Sequence, residues 1–171
     1  MIGFVDESKA RGLLVACTVA GPHDVVAARR VLTDLRMRGQ RRLHFKSESD
    51  SRRRLICSSL VTLPVTVRIY QTGGKADRSS RGRALDAVVR DLAAVGGTRL
   101  VIERDESLVQ ADRAALFQSV RAHGVPELRY EHPRAHEEPM LWVSDAVAWC
   151  YGKGGAWRAR VEPLVEGVTL I

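Results

Sequence analysis

The sequence predicts an α/β domain, with a mixed β-sheet that opens on a hairpin and carries helices on both faces. Three observations predict it. Two apolar runs, residues 2–5 and 12–19, stand close together at the start, joined by a short connection through Lys9 to Arg11. Strand-like segments then alternate with segments of helical periodicity. The length of 171 residues, with 45% hydrophobic and 27% charged residues, suits one domain with its own core. No repeat or linker divides 1–171.

In order, Ile2–Val5 reads as a buried strand stopped by Asp6, Glu7 and Ser8, and residues 12–19 as its hairpin partner. Pro22 and Asp24 open a helix with Val25, Val31, Leu32 and Leu35 on one face, ending before Gly39. Leu43–Lys46 reads as a short strand, and Ser49 or Ser51 caps a basic helix that ends near Pro64. Val65–Tyr70 is a strand by its β-branched content, followed by a Gly- and Ser-rich loop of about ten residues. Leu85, Val88, Val89, Leu92 and Val95 follow helical spacing up to the stop at Gly96-Gly97. A strand at Leu100–Glu103 precedes a helix with Leu108, Leu116, Phe117 and Val120 as its apolar positions. Leu128–Glu131 reads as a strand, residues 132–139 as a polar loop, and Pro139 as the first turn of a helix through about Tyr151. An amphipathic segment, Trp157–Val165, closes the chain.

Composition excludes disorder, collagen-like repeats and a small disulfide scaffold. Cys17, Cys57 and Cys150 are odd in number and form no CxxC, so they read as reduced core thiols of a cytoplasmic protein. The start, MIGFVDESK, is too short in apolar residues for a signal peptide, and no stretch approaches the ~20 apolar residues of a membrane span.

Charge is uneven. The chain carries 27 Lys and Arg against 20 Asp and Glu, a net of +7, and residues 29–54 alone carry the same +7. Residues 86–171 are net acidic. A localised basic tract points to a polyanion, most simply nucleic acid held through its phosphates by Arg41, Arg42, His44, Lys46, Arg52, Arg53 and Arg54. Arg outnumbers Lys by 23 to 4, so an ordinary solvated surface in an Arg-preferring genome is the plain alternative.

The acids sit at the ends of elements. Asp6 ends the first strand, while Glu103 and Asp105, two apart, share a face at the end of a later one. Asp145 stands in an apolar helix between Trp142 and Trp149. Its burial there has to be compensated, so it should face a polar cleft. Carboxylates gathered from separate elements cannot all ionise without a counter-charge, and Mg²⁺ or Mn²⁺ supplies one and promotes phosphodiester cleavage. Taken singly, each acid also reads as a turn or cap residue.

Phe4-Val5-Asp6-Glu7-Ser8 resembles the opening signature of bacterial proteins of the domain of unknown function 3800 family. Leu43-His44-Phe45 and Leu141–Trp149 are similar to two later motifs of that family. The resemblance spans almost the whole chain. It implies a ribonuclease H-like fold with Asp6 and Asp145 as metal-binding, catalytic acids. Glu103 and Asp105 both match its central-strand acid, and the choice between them is open. An acid often found before His44 is replaced by Arg42-Leu43, and Glu48 is the nearest substitute.

Weaker candidates accompany these. Glu7, Glu48, His132 and Glu138 are possible accessory residues. His132, His136, Glu137 and Glu138 include transition-metal ligand types, but their spacing around Pro133 favours a polar loop. Gly73-Gly74-Lys75 lacks the rest of a P-loop, and the tryptophans read as core. The leading expectation is a metal-dependent nuclease or related phosphoryl-transfer enzyme. Its rivals are a non-catalytic nucleic-acid- or protein-binding module, and an interaction protein whose basic helix docks on an acidic partner.

Overall fold

The computed structural model describes residues 1–9, 12–77 and 79–171. Part of the expected hairpin connection (Ala10 and Arg11), and Arg78 in the following loop, lie outside them.

The opening apolar runs form strands β1 (Ile2–Ser8) and β2 (Leu14–Ala20), paired antiparallel with Val5 opposite Cys17. Helix α1 (Pro22–Asp34) and helix α2 (Asp50–Leu60) follow. Ser49 caps α2 by accepting the Arg52 amide hydrogen. Strand β3 (Thr66–Gln71) leads to helix α3 (Ser80–Ala94), strand β4 (Arg99–Ile102) and helix α4 (Val109–Ala122). Strand β5 (Arg129–Glu131), helices α5 (Leu141–Lys153) and α6 (Gly155–Val161), and strand β6 (Val165–Leu170) complete the chain.

The six strands form one mixed sheet in the order β5-β4-β1-β2-β3-β6. The β1/β2 and β2/β3 pairs are antiparallel, and β1/β4, β4/β5 and β3/β6 are parallel. Strand alternation divides the core in two. Phe4, Ala16, Val67, Ile69 and Val101 pack under α1, α2, α5 and α6, while Val5, Val15, Cys17, Leu100 and Ile102 pack under α3 and α4. Helix α5 lies directly across β1 and β2. It is seated by a buried polar pair: Ser144 Oγ donates to the Phe4 carbonyl at 2.8 Å and meets Thr18 Oγ1 at 2.7 Å. Among the described residues, no helix is long and apolar enough to cross a membrane.

Several expectations are corrected. Leu43–Lys46 is not a strand: His44 is extended and Phe45–Ser47 form a single 3₁₀ turn. Leu43 and Phe45 are drawn into the core, and the Phe45 ring meets Trp149 edge-on at 5.3 Å. The loop after β3 is shorter than expected, because Ser80–Gly82 already belong to α3. Phe117 is half exposed on α4, its ring covered by the Arg121 guanidinium at 4.2 Å. Pro139 precedes α5 rather than opening it. The closing segment holds α6 and an extra parallel edge strand, β6, instead of a single amphipathic unit. Mostly exposed, and shifted in register against β3 between Val165 and Gly167, β6 lacks the alternation that marks a half-buried strand.

Candidate functional site

Strands β1 and β4 run parallel, and β4 ends at Ile102 opposite Val5, in the region where open α/β sheets usually place ligands. Strand β1 continues to Ser8, so Asp6 lies within the strand and does not end it as expected. Asp6 is the fifth residue of β1 and, two after Phe4, points to the α5 face. Glu103 follows β4 directly, and its amide donates to the Val5 carbonyl at 3.0 Å, which sets it beside Asp6. Asp6 Oδ1 accepts the Glu7 amide hydrogen at 2.7 Å, and the Glu103 carboxylate bears on the Asp6 carboxyl electrostatically. Asp145 reaches them from α5, its Oδ2 accepting the Phe45 amide hydrogen at 3.0 Å. Three of the four expected acids therefore meet.

Their electrostatics follow from this. Burial pushes the Asp6 carboxyl well above the usual carboxylate range, and the charges of Glu103 and Asp145 add to it. Asp145 is raised too, first by burial and then by Glu103, against the Phe45 amide and His44. Arg42 opposes both shifts. Its Nη1 donates to Glu103 Oε1 at 3.1 Å, and its Nη2 lies 3.4 Å from His44 Nδ1. His44 Nδ1 stands 3.8 Å from Asp145 Oδ2. The segment 42–45 is thus laid across the acids, with one guanidinium and one imidazole turned toward them.

Asp105 stands apart. Strand β4 ends at Ile102, so the two-residue spacing after it no longer implies a shared face. Exposed, Asp105 accepts from the Ser107 amide at 3.0 Å and from its hydroxyl, holding the turn into α4. These bonds lower its pKa. It borders an open cleft of about 500 Å³ that Asp6, Glu7, Arg81, Glu103, Arg104 and Glu106 also line.

The accessory residues each have partners within the fold. Glu7 points to the opposite face of β1, where it pairs with Lys9 and Arg81. Arg81 also grips buried Asp112 through two bonds of 2.6 and 2.8 Å. Burial would raise Asp112, yet Arg81 and neighbouring His132 hold it below its ordinary value. His132 Nε2 faces Asp112 at 3.4 Å without forming a hydrogen bond. Glu48 is buried, bonded by Gln40 at 2.9 Å and paired with Arg52. Glu138 clamps Arg29 and caps the Met140 amide. Arg81 and Asp112 carried no sequence signal, since 31 residues separate them. Ser144 carried one: it is polar within an apolar helix, as its neighbour Asp145 is.

The basic tract is partly internal. Arg29 is bound to Glu138, and Arg36 to the carbonyls of Thr33, Gln40 and Arg41. Arg52 bonds the Leu35 carbonyl, and Arg53 bonds those of Phe45 and Lys46 and covers the Trp149 ring at 4.5 Å. Arg30, Arg38, Arg41, Lys46 and Arg54 are exposed. The guanidinium forks satisfy carbonyls of a segment, 35–48, that has little regular structure to satisfy its own.

A six-stranded mixed α/β sheet with carboxylates from two adjacent parallel strands gathered where β4 ends is the class that fold and site define. Among solved structures, the chain is similar to one in the complex of PCNA with RNase HII from Archaeoglobus fulgidus. The TM-score is 0.55 at 12% identity, covering 87% of this chain and 70% of that one. The likeness is one of fold. No protein-family model and no curated protein matches the chain.

Proposed function

We propose that the chain is a divalent-cation-dependent nuclease, or a related phosphoryl-transfer enzyme acting on nucleic acid, on a ribonuclease H-like fold. The observation that carries this reading is the meeting of Asp6, Glu103 and Asp145, from three separate segments, on a fold similar to that of an RNase HII.

The donor set fits a hard cation. Burial and the neighbouring carboxylates raise the proton affinity of Asp6 and Asp145, and a cation that prefers oxygen relieves this. Among the described residues, no three His, Cys, Asp or Glu are already gathered as a cation cage. At this cluster Arg42 stands among the acids instead. Asp6, Glu103 and Asp145 would hold Mg²⁺ or Mn²⁺, which supplies Lewis-acid stabilisation of charge developing on a phosphodiester. The protein's own part is positional. The Val5 carbonyl fixes Glu103, the Phe45 amide fixes Asp145, and Ser144 seats α5 on β1. Exposed Arg38, Arg41, Lys46 and Arg54 offer the phosphate backbone its sequence-independent attraction. The resemblance to the domain of unknown function 3800 family supports the same roles for Asp6 and Asp145, and three free cysteines suit a reducing cytoplasm.

Asp6→Asn and Asp145→Asn should each abolish Mn²⁺-dependent cleavage of single- and double-stranded DNA and RNA while leaving the fold intact. Full activity in either variant overturns the assignment. A second reading, a binding module without turnover, is favoured by Arg42, which already supplies positive charge at Glu103. It requires salt-sensitive nucleic-acid binding that survives Asp6→Asn and needs no metal.

A further inference from the structure

Arg42 already holds one of the acids that would share a cation. Its guanidinium bonds Glu103 at 3.1 Å, lowers the pKa of both Asp6 and Asp145, and touches the imidazole beside Asp145. The hold is light: the Arg42 and Glu103 side chains are 36% and 28% exposed, a setting in which an ion pair contributes little. A doubly charged ion that takes Glu103 as a ligand also repels the guanidinium. The two positive groups therefore exclude each other at one carboxylate.

We infer that Arg42 is a built-in competitor for the cation at the Asp6–Glu103–Asp145 cluster. It neutralises the acids while the site is empty of metal and is displaced from Glu103 when metal enters. The inference rests on the metal-centre reading above. Displacement leaves a half-exposed guanidinium at the rim of the acid cluster, free to take a phosphate oxygen. The negative centre and the positive tract are then linked: loading the first releases an arginine to the second.

Titration calorimetry with MnCl₂ on wild type, Arg42→Ala, Arg42→Lys and Asp6→Asn tests this, with thermal unfolding in chelator as a second readout. Removing an exposed competitor should tighten Mn²⁺ binding by about three- to tenfold in Arg42→Ala. Arg42→Lys keeps the charge without the fork and should fall between it and wild type. In chelator, Arg42→Ala should melt below wild type, and saturating Mn²⁺ should erase the difference. If wild type binds Mn²⁺ and Arg42→Ala binds it equally or more weakly, the inference fails while the metal centre stands. If neither binds, and Asp6→Asn matches them, the metal centre falls and the inference with it.

Discussion

The pair that seats α5 on the sheet makes a sharp prediction, because it is polar, fully buried and closed on itself. Ser144 and Thr18 are both 0% exposed; Ser144 Oγ bonds the Phe4 carbonyl, and Thr18 Oγ1 has Ser144 as its side-chain partner. Ser144→Ala deletes both bonds and leaves the Thr18 hydroxyl buried without that partner. An orphaned buried hydroxyl costs about 1–3 kcal/mol, and 2 kcal/mol lowers the melting temperature of a chain this long by about 4–8 °C. Thr18→Val removes the hydroxyl at nearly constant volume but leaves Ser144 bonded to Phe4, so it should cost about 0.5–1.5 kcal/mol. The double variant removes both polar groups at once and orphans neither side chain. It should be no less stable than Ser144→Ala, a coupling of about 1 kcal/mol in the direction opposite to additivity. Urea unfolding of the four proteins measures the cycle. Additive losses would refute the reasoning, since they would mean that the hydroxyls do not depend on each other.

Two further outcomes follow from the charges. Asp6 is held above its ordinary value of 3.8, first by burial and then by Glu103 and Asp145, so the folded state binds more protons than the unfolded one above that pH. In chelator its contribution to stability is complete below pH 3.8 and is lost as pH rises through the folded value. The melting temperature of Asp6→Asn minus that of wild type should therefore grow with pH and be positive at pH 7; a difference that is flat with pH contradicts the geometry. In the basic tract, Arg53→Ala should cost about 1–3 kcal/mol, because it bonds two carbonyls and Asp50 and covers Trp149. Arg54→Ala should stay within about 0.5 kcal/mol of wild type. It should instead reduce the salt slope of oligonucleotide binding, read by anisotropy, by about one.

The hairpin and the β/α alternation were legible because apolar runs and helical spacing are local. Asp6 and Asp145 were legible because a charge following an apolar run, or standing within an apolar helix, needs an explanation wherever the chain folds. The choice between Glu103 and Asp105 was not, since it depends on β4 ending at Ile102 and the chain turning into α4 through Ser107. The segment 43–46 alternates like a strand, but its apolar residues are spent on Trp149 and the core rather than on a sheet edge. The meaning of the basic tract was half legible. Composition counts each guanidinium equally, whereas only the fold decides which ones close on carbonyls and which remain in solvent.

Strand β1 sends Asp6 and Glu7 to opposite faces, the first toward α5 and the second toward Arg81 on α3. It is held on both sides, with Val5 opposite Cys17 of β2 and Ile102 of β4. A change of length by one residue between Ile2 and Phe4, with the register before it held, would send the two carboxylates to each other's faces and turn Phe4 out of its core at the same stroke. A one-residue insertion or deletion before Phe4 should therefore cost the strand its core contact and its acid together, where a substitution costs one of them.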